Sequence, residues 1–198
     1  MQDVRGRVLA VAAQTFAEHG WRDSTVDAVC HRAGVTSREF YADFETVDDL
    51  FVEMYRTEAA TRVEATRAAL EPLPGRHGEL DVATALGALA AAIGNAANDK
   101  QWWIITTEYM LRAVRHPQVA QGYRDLRRST HEALVEVVTD GLVAAGIEGV
   151  DVDQFVELTT SLHRGAVAQS FVDPDATSPE ILDLIVWTAV LRQDSRAS

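Results

Sequence analysis

The chain is poor in the residues that mark secreted and membrane proteins. Its 198 residues include one cysteine, Cys30, so no disulfide can form within the chain, which fits a reducing compartment. No run of 18 uncharged apolar residues is present, and the N-terminus lacks a signal-peptide pattern. We therefore expect a cytoplasmic protein without a membrane partner. Cys30 lies within an apolar helical face, where burial is the expected role and a redox sensor is the alternative.

Sequence motifs for catalysis are also lacking. We find no His-Glu-x-x-His, no Glu-x-x-His pair, no glycine-rich phosphate loop and no Gly-x-Ser-x-Gly. The acids between residues 173 and 180 lack the length and the glycine of a calcium-binding loop. The sequence therefore predicts neither an enzyme nor a metal or cofactor site.

Positive charge is scarce as well. The net charge is −12, and residues 1–50 hold five arginines, no lysine and nine acids. Proteins that bind nucleic acid usually carry a basic surface, because contacts with phosphates supply much of their affinity. A DNA-binding role therefore needs a local arrangement of side chains, helix N-termini and backbone N–H groups that offsets the overall charge.

What the sequence does contain is a helix-turn-helix pattern over residues 24–51. Three pairs of a hydroxyl residue and an acid three positions later predict helix starts: Ser24–Asp27, Thr36–Glu39 and Thr46–Asp49. Gly34 falls between the first two predicted helices, where a turn favours a positive φ. Two short helices joined by a tight glycine-containing turn are typical of a helix-turn-helix. The apolar residues spaced to bury one face of each helix include Val26, Val29, Cys30, Ala33, Phe40 and Phe44.

A preceding helix completes the pattern. Residues 8–16 place apolar side chains at helical spacing, and Gly20 is a suitable stop. With this helix, residues 7–51 resemble the N-terminal domain of the TetR family of transcriptional regulators. The matching positions are Ala12, Ala13, Phe16, Gly20, Ser24, Thr25, Val26, Ala33, Gly34, Val35, Thr36, Phe40, Tyr41, Phe44, Asp49 and Leu50. The resemblance implies a regulator that binds double-stranded DNA through a recognition helix at residues 36–43.

The resemblance assigns DNA contacts to five residues. The N-terminal side chains of a recognition helix face base edges, and Thr25 matches a family position that contacts the DNA backbone. The candidates are Thr25, Thr36, Ser37, Arg38 and Tyr41. Arg38 is the strongest candidate for direct readout, because a guanidinium can bridge O6 and N7 of guanine. The alternatives are that Thr36 serves mainly as a helix cap and that Arg38 is merely solvated.

The chain departs from the family pattern in its charges. The family often has Arg and His after the tyrosine, where this chain has Ala42 and Asp43. It often has a phosphate-binding lysine at the start of the fourth helix, where this chain has Val47. Either the operator is unusual, or binding is weak, or other arginines supply the contacts, namely Arg5, Arg7, Arg22 and Arg32. A helical ligand-binding protein of the same fold, with weak or lost DNA binding, is the alternative function.

The remaining sequence predicts only helices. They are expected at about residues 46–70, 80–97, 101–114, 118–145, 152–171 and 179–192. We therefore predict an all-α protein with two domains. A three-helix, homeodomain-like helix-turn-helix domain comprises residues 1–46, and a ligand-binding and dimerisation domain comprises residues 47–198.

The resemblance implies a small-molecule pocket between the helices of the second domain. The candidate lining residues are Trp102, Trp103, Thr106, Tyr109, Met110, Tyr123, Phe155, Thr159, His163 and Phe171. Their apolar character indicates a hydrophobic or aromatic effector, although aromatic stripes at helical spacing are also typical of plain core. Trp102 and Trp103 point about 100° apart on a helix, so at most one is expected to face the pocket. Effector binding would release a repressor from DNA by population shift through the helix over 46–70, and activation is the alternative.

The predicted last helix has almost no polar face. A helix that is apolar all round must be covered on every side, and a second copy of the chain is the simplest cover. Burial within its own subunit is the alternative. In the family, the last two helices form a four-helix interface with their symmetry mates, so a homodimer is expected. The predicted interface residues are Leu162, Ala166, Ile181, Leu184, Ile185, Trp187 and Val190.

Overall fold

The computed structural model describes residues 4–23, 26–70, 91 and 100–173, and every regular element among them is an α-helix. In chain order the helices are α1 (Val4–Asp23), α2 (Val26–Ala33), α3 (Ser37–Asp43), α4 (Val47–Leu70), α5 (Lys100–Arg115), α6 (Pro117–Ala145) and α7 (Val152–Ser170). The all-α prediction is confirmed, and α3 to α7 begin and end within one residue of their predicted bounds. Of the helices predicted at residues 80–97 and 179–192, the structure describes only residue 91, which is helical.

The first helices end and begin at the residues that the sequence marks. Gly20 breaks α1 with a φ of 69°, and Gly34 forms the turn between α2 and α3 with a φ of 64°. Side chains are strained in this left-handed region, so glycine is the suitable residue at both points. Before α4, the Thr46 hydroxyl accepts from the Asp49 N–H (3.1 Å) and donates to the Asp49 carboxylate (2.8 Å). The caps predicted from short-range spacing are therefore present wherever both partners are described.

The first compact unit comprises residues 1–59 and 99–127. Within it, α1 packs on α2, α3 and α5, and α2 packs on α3. Its buried core includes Val8, Ala12, Phe16, Val29, Cys30, Phe40, Phe44, Leu50, Phe51, Met54, Ile105, Tyr109 and Tyr123. The helix-turn-helix therefore shares one core with α5 and with the beginning of α6.

The second compact unit comprises residues 60–98 and 128–198. Its described core consists of Leu70, Leu134, Val137, Val138, Leu142, Ile147, Phe155 and Val156. The predicted division between residues 46 and 47 stays a prediction. None of the helices in the described ranges is long and apolar enough to cross a membrane.

Candidate nucleic-acid interface

The candidate recognition helix, α3, begins with a complete capping box. The Thr36 hydroxyl accepts from the Glu39 N–H (3.2 Å), and a Glu39 carboxylate oxygen accepts from the Thr36 N–H (2.7 Å). The same carboxylate oxygen accepts from the Thr36 hydroxyl (2.7 Å). These bonds, with the nearby Arg7 charge, lower the pKa of Glu39. The box fixes the start of α3. A helix of seven residues is too short to be stable in isolation, so the cap supports it together with its packing.

The outer face of α3 presents the predicted contact residues to solvent. Thr36, Ser37, Arg38 and Tyr41 are all exposed, and Tyr41 is 57% exposed with its ring edge-on to Phe40. On the opposite face, Phe40 and Phe44 are 0% and 4% exposed and belong to the core. Thr25 lies outside the described residues. The four described candidates thus share one accessible face, and their contact with DNA stays a prediction.

The arginines around this face differ in what they contact. Arg5 pairs with Glu53 (2.5 Å), and Arg32 pairs with Glu18 (2.6 Å). Arg7 donates to the carbonyl oxygen of Gly34 (3.1 Å). Among the described residues, Arg38 has neither a hydrogen bond nor an ion pair, so its guanidinium is available to an external acceptor. The Arg22 side chain is not described.

Beneath the start of α3 lies the only cysteine. Cys30 is 4% exposed, and burial raises the pKa of its thiol. The Ser37 hydroxyl, which is close to this thiol, also donates to the Asp27 carboxylate (3.5 Å). Burial of Cys30 is confirmed, so the thiol is part of the packing under the recognition helix.

Six of the predicted effector residues lie on α5 and α6 in the first unit, and they do not all line the same cleft. Trp102 lines a cleft of about 190 Å³ with Leu9, Ala13, Met54 and Ile105, whereas Met110 and Tyr123 line one of about 450 Å³. Tyr109 is buried against Phe51, and the Thr106 hydroxyl donates to the Trp102 carbonyl (2.9 Å). Trp103 is half-buried and lines neither of these two clefts. Their role in effector binding stays a prediction.

The other four predicted effector residues lie on or next to α7 in the second unit. Phe155, Thr159 and His163 follow one another at intervals of four residues and are buried, so they share one face of the helix. Phe171 is the C-terminal cap of α7. Among the described residues, the buried Thr159 hydroxyl has no hydrogen-bond partner. The buried residues of α7 therefore comprise two polar side chains, Thr159 and His163, among four apolar ones, Phe155, Val156, Ala166 and Val167.

Two of the predicted interface residues are described. Leu162 packs against the second core, and Ala166 is 5% exposed. The other five, Ile181, Leu184, Ile185, Trp187 and Val190, lie outside the described residues. The interface stays a prediction.

Sequence reasoning missed two charged residues on α5. The Glu108 carboxylate accepts from the Trp21 N–H (2.5 Å), and the Arg112 guanidinium pairs with Asp48 (2.9 Å). They are one helical turn apart, beside the buried residues Ile105, Thr106, Tyr109 and Ala113. Oppositely charged residues at positions i and i+4 next to a buried stripe are the signal that could have found them.

Two family models match parts of this chain. Residues 8–54 match the family model for bacterial regulatory proteins of the tetR family. Residues 83–193, more than half of the chain, match the model for the C-terminal part of BetI-type transcriptional repressors.

Individual relatives are more distant. A fatty acid metabolism regulator protein of Bacillus subtilis (strain 168) is 20% identical over 154 residues, covering 77% of this chain and 72% of that protein. A transcriptional regulator of Rhodococcus sp. Rha1 has 23% identity and a TM-score of 0.67, with 96% of both chains covered. The regulator FadR of Bacillus subtilis, solved in complex with stearoyl-CoA, has 16% identity and a TM-score of 0.63, covering 93% of this chain and 96% of that chain. The solved structures show that the fold is shared.

Proposed function

This chain belongs to the TetR family of bacterial regulatory proteins, and from that premise we propose that it is a ligand-responsive repressor that binds a palindromic operator as a homodimer. The observation that carries the proposal is the outer face of α3. Its start is fixed by the capping box of Thr36 and Glu39, and it presents an exposed Arg38 that makes no hydrogen bond or ion pair with a described residue. A rigid helix start with an available guanidinium fits the reading of guanine in a major groove.

In this proposal the two α3 helices of a dimer enter successive major grooves about 34 Å apart. Arg38 contacts a base in each half-site, and Tyr41 contacts the DNA backbone nearby. Because Arg5 and Arg32 already pair with acids, few cations remain for phosphates. We therefore expect affinity to depend strongly on base contacts and to fall only moderately with salt.

We propose an effector with a long apolar chain, such as an acyl thioester. A fatty acid metabolism regulator and a regulator bound to stearoyl-CoA are among the similar proteins, which supports this class. The apolar lining of the cleft at Met110, Pro117 and Tyr123 is compatible with such a chain. The effector would bind better to a state in which the recognition helices are wrongly spaced, and would thereby lower the affinity for DNA.

Fluorescence anisotropy with DNA from upstream of the protein's own gene, and with a scrambled duplex, tests the DNA-binding part. Arg38→Ala should weaken binding by roughly 5- to 150-fold for each half-site, because a bidentate base contact is worth about 1–3 kcal/mol of discrimination, and it should weaken operator binding by more than this because the dimer loses one such contact in each half-site. It should leave binding to the scrambled duplex nearly unchanged. Arg56→Ala is the matched control, because Arg56 is an exposed arginine on α4 that makes no hydrogen bond or ion pair with a described residue.

Equal losses on the operator and on scrambled DNA would contradict base reading by Arg38. If the protein does not prefer the upstream duplex over the scrambled one, a genome-wide DNA selection tests whether it binds another sequence. An empty selection would overturn the regulator and favour a ligand-binding protein of the same fold, the reading suggested by the nine acids of residues 1–50. Stearoyl-CoA should release bound operator whereas free coenzyme A should not, and equal effects of the two would contradict the proposed effector.

A further inference from the structure

A cleft lies at the corner where α5 meets α6. Its volume is about 450 Å³, and the residues that line it all belong to the first compact unit. Met110, Ala113 and Val114 line it from α5, and Pro117 and Tyr123 are among those that line it from α6. The volume falls within the range of about 300–1,000 Å³ that is typical of small-molecule sites. The cleft is therefore large enough to receive a ligand or a substantial part of one.

The apolar wall of this cleft is open to solvent. Val114 is 77% exposed, and Met110, one helical turn earlier, is half-buried. Because both line the same cleft as Pro117, the exposed apolar surface is contiguous rather than scattered. Tyr123, by contrast, is buried, and its ring is edge-on to that of Tyr109 with the centres 5.9 Å apart. The cleft therefore combines a base fixed in the aromatic core with an accessible apolar wall.

The same corner carries positive charge in a chain that is otherwise acidic. Residues 112–127 contain four arginines and one acid, Asp125, whereas the whole chain has a net charge of −12. Arg112 pairs with Asp48 (2.9 Å), and the other three arginines are exposed. With that pair set aside, the segment still has more positive than negative side chains. Such a local excess of charge favours an anionic partner.

Two of these arginines share a helical face with the cleft. Arg124 lines it, and Arg127 lies on the same face of α6, because it is seven residues after the lining residue Ala120. Asp125 is five residues after Ala120 and therefore points about 140° away from it. Arg124 donates from Nη2 to the side-chain oxygen of Gln121 (2.6 Å), whose amide donates to Asp125 (3.1 Å). Arg124 makes no ion pair with a described residue, so its charge is available to a ligand.

We propose that this cleft binds an amphiphile with an acidic head. The apolar chain lies against Met110, Val114 and Pro117, and the head pairs with Arg124 and Arg127. This inference rests on the proposed function, in which the same cleft receives the effector, and it adds a requirement for negative charge. A guanidinium forms paired hydrogen bonds with a carboxylate or with a phosphate, so a fatty acid and an acyl thioester of coenzyme A both have this chemistry.

Calorimetric titration without DNA tests the charge requirement. Three probes share a chain of twelve carbons and are kept below the concentrations at which they form micelles: laurate is anionic, 1-dodecanol is neutral and dodecyltrimethylammonium is cationic. Lauroyl-CoA and free coenzyme A distinguish the two sources of negative charge. Tighter binding of lauroyl-CoA than of laurate identifies a phosphate-bearing head, and the reverse order identifies a carboxylate.

The wild-type protein should bind laurate about tenfold more tightly than 1-dodecanol and should bind dodecyltrimethylammonium most weakly, because only the acid adds charge-assisted hydrogen bonds to the apolar contact. The double variant Arg124→Ala with Arg127→Ala should lose about tenfold in affinity for laurate and almost none for 1-dodecanol. Arg124→Lys keeps the charge without the paired geometry and should retain part of the preference.

Arg115→Ala is the matched control and should leave every affinity unchanged. Arg115 is exposed on α5, does not line this cleft, and makes no hydrogen bond or ion pair with a described residue. Circular dichroism and urea midpoints identify the variants that fold. A measurement on the wild type alone is independent of folding: its preference for laurate over 1-dodecanol should shrink as the salt concentration rises.

Three results would overturn the inference. They are equal affinities of the wild type for laurate and 1-dodecanol, a folded double variant that keeps the preference for laurate, and binding to phosphatidylglycerol vesicles without binding to the monomeric probes. The last would make this surface a membrane contact.

Failure of the proposed function gives a different result. A protein that binds the acidic probes through Arg124 and selects no DNA would refute the regulator and keep this inference. An operator that lauroyl-CoA releases equally well from the wild type and from the double variant would keep the regulator and refute this inference.

Discussion

Replacement of Phe51 by alanine should be among the most destabilising changes in the first unit. Phe51 is 0% exposed and contacts three aromatic rings: Tyr109 stacked at 3.7 Å, Trp21 edge-on at 5.6 Å and Tyr55 at 5.9 Å. Removal of a buried phenylalanine side chain typically costs 3–5 kcal/mol, through lost transfer energy and the remaining cavity. Because these rings cannot all follow the truncated side chain, we expect about 4–5 kcal/mol.

The substitution Phe51→Leu separates the contribution of buried apolar volume from that of the aromatic ring contacts. It keeps most of the apolar volume and loses the ring contacts, so Phe51→Leu should cost only about 1–2 kcal/mol. A double-mutant cycle with Tyr109→Leu should give a coupling energy of about 0.5–1.5 kcal/mol for the stacked pair. Val114→Ala is the control, because Val114 is 77% exposed on α5 and its truncation should stay within about 0.5 kcal/mol.

The assay is urea unfolding followed by circular dichroism and by tryptophan fluorescence. With a slope of about 2 kcal/mol per molar urea, Phe51→Ala should lower the midpoint by roughly 2 M. The two signals must coincide before one free energy of unfolding is assigned, because the chain has two compact units. A loss below about 2 kcal/mol for Phe51→Ala, or equal losses for alanine and leucine, would refute the role of the aromatic contacts.

Two further predictions concern α3 and its support. The pKa of Glu39 is lowered chiefly by the Thr36 N–H, so its ionised form stabilises the fold above the ordinary carboxyl pKa of 4.5, and this contribution is lost as the pH falls through the lowered value. Glu39→Gln should therefore have a lower thermal midpoint than wild type at neutral pH and a similar one in acid; a difference that persisted in acid would contradict this linkage. Because Cys30 is buried and the pKa of its thiol is raised, iodoacetamide should label it slowly in native protein and rapidly in urea, as measured by mass spectrometry. Fast native labelling would show that the α2–α3 turn opens.

Features encoded by neighbouring residues could be predicted from the sequence. The box at Thr36 and Glu39 spans three residues, and its hydrogen bonds are those that the spacing predicted. The break at Gly20 and the gap between the helices predicted at about residues 101–114 and 118–145 could be predicted for the same reason, because helix stops depend on local backbone preferences. Helical periodicity likewise identified Phe40 and Phe44 as core rather than as DNA contacts.

Contacts between distant parts of the chain could not be predicted in this way. Trp21 and Glu108 are 87 residues apart, and Asp48 and Arg112 are 64 apart, so no local pattern pairs them. Periodicity shows that α5 has a buried face and does not show which helices cover it. The predicted division, which puts α5 in the ligand-binding domain, stays a prediction, and in the structure α5 shares a compact unit with the helix-turn-helix. Tyr109 and Met110 are both predicted pocket residues, and that role stays a prediction; in the structure Tyr109 belongs to the aromatic core and Met110 lines a cleft.

The internal pairing of Arg5 and Arg32 has a consequence for how the proposed regulator would find its operator. Cations already held by Glu53 and Glu18 would displace few counterions from DNA, so we expect the proposed regulator to have little affinity for random sequence. It would spend little time sliding along the chromosome and would search mainly through the surrounding solution. A regulator of this kind loses few molecules to the genomic background, and a small number of copies per cell is enough to occupy a single site.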